Sequence, residues 1–399
     1  MIRKDLLPQL ATVNSCTLCG SCSNACPTGA ISFTKSYLDF QYPQIDAQKC
    51  VGCKSCVKKC PVLTDFNHSV PMSEWKAFIA KNTNDEIREK STSGGVFYAA
   101  AQQIIKNHGY VCGAVIDKNF QVKHICSNKE EDIFRMMGSK YAQSNMGNIF
   151  QQVQQLIKKG IPVLFTGCPC QIAGLQAFLE KKYHNLILME VICHGIPSNL
   201  MLQNYVSLLS QKKHSKVIQI EFRNKHNGWH SSSVRAKYKN GKTYDKITIA
   251  DAFMKGMLQN IFLKSSCYAC KFRAFASSSD CMVGDFWGAE VEIPEQDDNR
   301  GLSVILINNK TAEEWVNNLG LSIQKYNVEN IIKYNMTIIK SPQINNQRET
   351  FYKVSKEVGY QKAIDKLLWE KPWQYLKRTV FRNLRAIRNL VKGENKPLY

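Results

Sequence analysis

Two near-identical cysteine runs constrain this chain more than any other feature of its 399 residues. Cys16-x2-Cys19-x2-Cys22-x3-Cys26-Pro27 is repeated as Cys50-x2-Cys53-x2-Cys56-x3-Cys60-Pro61. That spacing wraps three thiolates around one iron–sulfur cube and sends the fourth, with its proline, to the other cube. It assigns Cys16, Cys19, Cys22 and Cys60 to one [4Fe–4S] cluster, and Cys50, Cys53, Cys56 and Cys26 to a second. Gly20, Ser21, Gly52 and Ser55 between the ligands let backbone N–H groups approach the sulfurs. The competing chemistry is a pair of structural zinc sites, which usually hold their C-x2-C pairs farther apart than this. Residues 1–66 are too few to bury much surface, so the segment needs staples of this kind.

Over residues 10–62 the runs resemble the bacterial-type two-cluster ferredoxin domain, and a small α+β ferredoxin-like domain is expected at the N-terminus. Ala30–Phe33 and Tyr37–Phe40 read as short strands, with Tyr42-Pro43 as a breaker. Residues 67–75 read as a linker. Beyond it the pattern predicts an α/β body with a mostly parallel mixed sheet, in two parts (75–160 and 161–320), then a helical basic tail over 321–399. Ala77–Ala80 is a short apolar run. Val96–Asn107 reads as a helix and Tyr110–Ile116 as a strand. The buried strand at 160–165, the helix near Gln171–Lys182 and the strand Leu186–Ile192 form a βαβ pattern, which predicts parallel neighbours. Ile218, Ile220 and Phe222 alternate, as do Val234, Ala236 and Tyr238, and Asn240-Gly241 signals a hairpin into Thr243–Ile249. Val304–Ile307 is one more buried strand.

Lys and Arg number 53 against 32 Asp and Glu, a net +21, and the 44% hydrophobic content can fill a sizeable core. No apolar run approaches the ~20 residues of a membrane span, and Met1–Leu10 lacks a secretory apolar stretch. The chain therefore reads as cytoplasmic, where clustered cysteines mean metal or redox sites. Trp373, Leu376, Val380, Leu384, Ile387 and Val391 recur at helical spacing, and Lys371–Tyr399 carries eight basic residues and one acid. Such a helix suits the anionic inner face of a membrane or an acidic partner; packed on its own domain, it would show solvent a basic face. No nucleic-acid motif accompanies the charge, so nucleic acid is not an expected partner.

Cys168-Pro169-Cys170 and Cys193-His194-Gly195 each follow a strand and are expected at the carboxyl edge of the sheet, where α/β folds place sites. Cys267-x2-Cys270 lies on a polar, breaker-rich stretch, with Cys281 further on. A sheet-edge pair plus a C-x2-C can build a third four-thiolate site. Cys112 and Cys126 read as isolated thiols.

In order along the chain stand Ser93-Gly94-Gly95, Gly138-Ser139-Lys140-Tyr141, Gly167-Cys168-Pro169-Cys170-Gln171-Ile172-Ala173-Gly174-Leu175, Cys193-His194-Gly195-Ile196-Pro197-Ser198, Cys267-x2-Cys270 and Gly284-Asp285-Phe286-Trp287-Gly288. Together they resemble the β subunit of coenzyme F-420 hydrogenases and dehydrogenases, a family of iron–sulfur flavoproteins. The resemblance covers roughly residues 75–320 and extends to members with a fused two-cluster ferredoxin domain. It implies a bound FAD and a third [4Fe–4S] cluster on Cys170, Cys193, Cys267 and Cys270. Cys168 stands where the family more often has Thr, and Cys281 where it more often has an aliphatic residue, so Cys281 competes for one ligand position. The resemblance also implies flavin contacts from Ser93, Gly94 and Gly95, from Lys140 toward the diphosphate, and from Asp285 beside Trp287. The plainer alternatives are a helix cap, a surface lysine and a packing turn.

No nucleophile–base constellation is visible. A flavin joins two-electron donors to cubes that take electrons singly. The expected function is thus an iron–sulfur flavoprotein oxidoreductase between a two-electron donor or substrate, reduced coenzyme F-420 among the candidates, and one-electron carriers. The expected partner is a redox carrier or partner oxidoreductase subunit. Two rivals stand beside this: a non-catalytic electron-transfer or adaptor subunit, and a direct reductase of an organic, glycan-related substrate.

Overall fold

A computed structural model describes residues 7–64, 70–276 and 279–369. The basic helix expected from Lys371 onward lies outside the described residues. In the front segment, two short helices, Ser21–Asn24 and Ser55–Lys58, occupy equivalent points of the two cysteine runs. Strands β1 (Ile31–Tyr37) and β2 (Phe40–Ile45) form an antiparallel ribbon between them. The strand expected over Tyr37–Phe40 is instead the turn of this ribbon. Leu38 and Asp39 both take positive φ, 46° and 69°, as a type I′ hairpin turn requires. Pro43 does not break the chain either; it sits in β2 opposite Phe33, beside a register irregularity, where a sheet tolerates a residue without an N–H.

The body rests on one mixed sheet. Its strands are β3 (Lys76–Asn82), β4 (Tyr110–Ile116), β5 (Val122–Ser127), β6 (Val163–Gly167) and β7 (Leu186–Val191). A separate antiparallel sheet holds β8 (Val217–Asn224), β9 (Ser233–Tyr238) and β10 (Thr243–Ile247). The main sheet then resumes with β11 (Cys281–Asp285), β12 (Ser303–Ile307) and β13 (Leu321–Tyr326), in the spatial order β13-β3-β12-β11-β7-β6-β4-β5. The contiguous strands β11, β7, β6 and β4 are parallel, and every other pairing is antiparallel. Two antiparallel steps bring β3 back into line with β11, so five strands end at one sheet edge.

Alternate residues feed two cores, as the pleat demands. Val111, Val115 and Leu164 face the helix Val96–Lys106, while Cys112, Val163 and Phe165 face the helices Ile149–Lys158 and Pro169–Leu179. The βαβ unit around Pro169–Leu179 has its two strands parallel and adjacent, as expected.

Three expectations need correction. Ile218 is exposed, and Val217 points inward with Ile220 and Phe222, because a register irregularity after Val217 shifts the pleat. The segment after 320 is not purely helical: β13 is the edge strand of the main sheet, with only half-buried apolar residues to mark it. The expected boundaries at 160 and 320 therefore both fall inside a single sheet. Cys112 and Cys126 are not isolated, since the β4–β5 register sets them opposite each other, joined as a disulfide. Among the described residues, no helix is long and apolar enough to cross a membrane.

Candidate iron–sulfur site

The front cysteines gather in two neighbouring groups. The sulfurs of Cys16, Cys19 and Cys60 lie close enough to disfavour ionisation of Cys22, and Cys60 does the same to Cys16 and Cys19. Burial dominates: it pushes Cys16 up to about 12 and raises Cys19 and Cys22 as well. Cys26, Cys50, Cys53 and Cys56 line one small pocket. There Ala30 N–H donates to Cys26 Sγ at 3.2 Å, and hydrogen bonding with Ser55 lowers the exposed Cys53 thiol below its ordinary range.

A third set forms in the body. Cys170 lies in the first turn of Pro169–Leu179, just beyond β6, and Cys193 follows β7. Both leave the shared carboxyl edge. Cys267 and Cys270 approach from the 3-10 turn Ser265–Ala269 and the residue that ends it. All four sulfurs interact with one another. Cys168, the cap residue of the helix, hydrogen-bonds to Cys193, which raises Cys168 and lowers Cys193. Cys281 is elsewhere: it is buried in β11 against the hydrophobic core, with Met189 and Ile307 as its cross-strand neighbours.

The spacing of the thiols argues against zinc. Four thiolates bound to one zinc at about 2.3 Å put their sulfurs about 3.8 Å apart. Among the described residues, the one set of three donors lying within 4.8 Å of one another is His230, Glu290 and Asp297, with no cysteine in it. Among the described residues no three cysteines meet that spacing. Iron also supplies the charge that lets buried thiols ionise.

The front and body sets abut. Cys60, Cys170 and Cys270 pack around one apolar cluster of Val62, Ala173 and Phe272. Gly174 is pressed so close to the front segment that a Cβ there would stand 2.7 Å from Cys19 Cβ and 2.9 Å from its sulfur. Two buried cations border the contact. Lys264 Nζ donates to Thr17 O and to Gln143 Oε1 at 2.7 Å. Burial alone would lower its pKa, but the Cys170 and Cys267 sulfurs, Tyr42 and Cys16 hold it above the ordinary lysine range. Arg273 donates to His194 O at 2.8 Å; burial raises Cys267 and Cys270, and the Arg273 charge offsets part of that rise. Neither cation carries a motif signal; Lys264 is known by its neighbours, and Thr17 lies 247 residues away.

The expected flavin residues converge less completely. The Ser91–Gly95 loop lies over the ends of β3 and β12, where Gly94 O accepts from Asn82 N–H at 2.7 Å and Gly94 N–H donates to Ser303 Oγ at 2.9 Å. A Cβ at Gly94 would stand 2.4 Å from Ala80 O, so packing against the sheet already demands glycine there. Ser93 Oγ donates to Leu302 O, while Ser93 O accepts from Lys225 Nζ. Thr92 and Ser139 are also in contact, joining the two loops. Asp285 ends β11 at the edge that Cys193 leaves; it accepts two hydrogen bonds from Arg223 and one from Trp229 Nε1. Arg223 stacks over Trp287 at 4.7 Å. Lys140 departs from expectation. Its ammonium donates to the Met136, Met137 and Gly138 carbonyls, tying off the helix Glu130–Met136 and leaving no donor for a diphosphate.

Comparison with known proteins bears on this arrangement. Residues 162–332 match the family described as the C terminus of the coenzyme F420 hydrogenase/dehydrogenase beta subunit. Residues 15–63 and 42–107 match 4Fe-4S dicluster domains. The body of the chain is thus similar to this family over residues 162–332, and its front to dicluster domains. A subunit of the F(420)H(2) dehydrogenase of Methanosarcina mazei is 22% identical over 54% of this chain and 64% of its own length. Coenzyme F420-dependent sulfite reductase of Methanocaldococcus jannaschii is 24% identical over 90% of this chain and 56% of its own length. The chain thus spans less than two thirds of either relative. A polypeptide of the F420-reducing [NiFe] hydrogenase complex from Methanosarcina barkeri is 17% identical, with a TM-score of 0.43, covering 80% of this chain and 95% of that one. Dicluster domain and F420-type body together make this an iron–sulfur protein of oxidoreductase kinship.

Proposed function

We propose that this chain is an iron–sulfur flavoprotein subunit that passes electrons between a two-electron donor, reduced coenzyme F420 foremost, and a one-electron carrier or partner oxidoreductase. Cys16, Cys19, Cys22 and Cys60 would hold one cube, Cys26, Cys50, Cys53 and Cys56 a second, and Cys170, Cys193, Cys267 and Cys270 a third. The observation that carries the reading is the third thiol set, seated against the inner set of the front domain. When bound, FAD accepts two electrons together and releases them one at a time, which cubes require. Support for FAD comes from the converging Thr92–Ser139 and Ser93–Lys225 contacts and from Asp285, which lies on the same sheet edge as Cys193. The names of both relatives, which carry coenzyme F420, favour that donor.

Anaerobic reconstitution followed by iron and flavin analysis tests the reading. Three four-iron cubes give about twelve iron per chain, with one FAD. About eight iron and no flavin would overturn it in favour of an adaptor whose body only docks a partner.

A further inference from the structure

Lys264 is 1% exposed, at the contact between the front domain and the body. Its two hydrogen-bond acceptors, Thr17 O and Gln143 Oε1, are neutral. Among the described residues no carboxylate forms an ion pair with it. An ammonium taken out of water at this depth must be offset by negative charge. The groups placed to offset it come from both sides: Cys16 from the front set, Cys170 and Cys267 from the body set. Its own acceptor Thr17 is the residue after Cys16, and Cys267 lies one turn further along the chain from Lys264 itself.

We propose that Lys264 is a counter-cation shared by two iron–sulfur cubes, the one on Cys16, Cys19, Cys22 and Cys60 and the one on Cys170, Cys193, Cys267 and Cys270. This rests on the ligand sets assigned above. Each cube held by four thiolates is a net anion and gains a further negative charge when it takes one electron. A fixed ammonium between the two favours that reduced state in both. Lys264 thereby raises both potentials. None of Cys26, Cys50, Cys53 and Cys56 is among the groups that act most strongly on Lys264. The role is one of tuning; no proton or bond changes hands at Lys264.

The test is an anaerobic redox titration of the reconstituted full chain with dithionite as electron donor, followed by electron paramagnetic resonance. In Lys264→Met the reduction equilibria of the two adjoining cubes should each fall tenfold or more, equivalent to about 59 mV for one electron. The outer cube should keep its potential, and Lys264→Arg should restore the other two. Should Lys264→Met fail to retain iron, Gln143→Glu gives the same answer: it sets a carboxylate against the ammonium and should lower the same two potentials. About twelve iron with unshifted potentials in these variants would overturn the role of Lys264 and leave the ligand sets standing. Equal shifts in all three cubes would also overturn it, because they would report general opening to water. About eight iron in the unsubstituted chain would instead overturn the ligand sets, and the proposal with them.

Discussion

Cys193 and Cys281 lie on or just beyond neighbouring parallel strands, yet the structure gives them opposite surroundings. Cys193 faces four other sulfurs, Cys168 among them, and Arg273, whereas Cys281 faces the hydrophobic core. Cys193→Ala should therefore reduce reconstituted iron from about twelve to about eight per chain and leave both front-domain resonance signals intact. Cys281→Ala should keep all the iron. Loss of every signal in Cys193→Ala would mean that the front domain cannot assemble without the body site. A second residue gives a pH dependence. His124 is buried, bonded through Nδ1 to Ser144 Oγ at 2.6 Å and through Nε2 to Thr166 O at 2.9 Å. Burial pulls its pKa from 6.5 down to about 4. The unfolded chain thus takes up this proton at higher pH than the folded one, so its contribution is complete above about 6.5 and is lost as pH falls toward 4. The expected loss is about 1.4 kcal/mol between pH 8 and pH 5.5. Denaturant midpoints of the holoprotein and of His124→Gln at these two pH values check it, the variant losing less by that amount.

At the scale of the element, the helix Pro169–Leu179 has two duties: its first turn presents Cys170, and Gly174 on its flank admits the front domain. A methyl group at 174 has no space beside Cys19, so Gly174→Ala should cost about 1–3 kcal/mol by overpacking. It should also perturb the resonance of the inner front cube more than that of the outer one; a change confined to the outer cube would contradict the packing. The sequence makes the start of this helix legible, because Cys-Pro-Cys after a buried strand places thiols at a sheet edge by topology alone. The cysteine runs are legible for a similar reason, since bond lengths to a small inorganic cube dictate spacing along a few residues. What escapes is contact between elements distant in the chain. Nothing in Gly174 or Lys264 announces Cys19 or Thr17, and β13 shows only a weak alternation because an edge strand buries little. Cys112 and Cys126 are solitary in the sequence for the same reason, as no local pattern marks β5 as the partner of β4. The Ser-Gly-Gly loop is legible as a glycine requirement, but the sheet itself already supplies one cause for it.

Across the whole molecule the thiol sets form a series from surface to interior. The outer front set includes exposed Cys53; the inner front set is largely buried; the body set lies behind it at the sheet edge. An external one-electron carrier therefore has its shortest approach at the outer set. Lys49, Lys54 and Lys58 are exposed around that end, on a chain whose net charge is +21. A basic rim of this kind steers acidic carriers, and salt screens it once the Debye length drops below about 10 Å. The bimolecular rate of electron exchange with an acidic ferredoxin should then fall roughly tenfold or more from about 0.05 to about 0.5 M salt. Lys54→Glu combined with Lys58→Glu should lower the rate at low salt and flatten its salt dependence, with iron content unchanged. Stopped-flow measurement of the two proteins side by side decides the point. A rate indifferent to salt in the unsubstituted chain would mean that the carrier docks elsewhere or through apolar contact, and the outer set would lose its claim to be the exit.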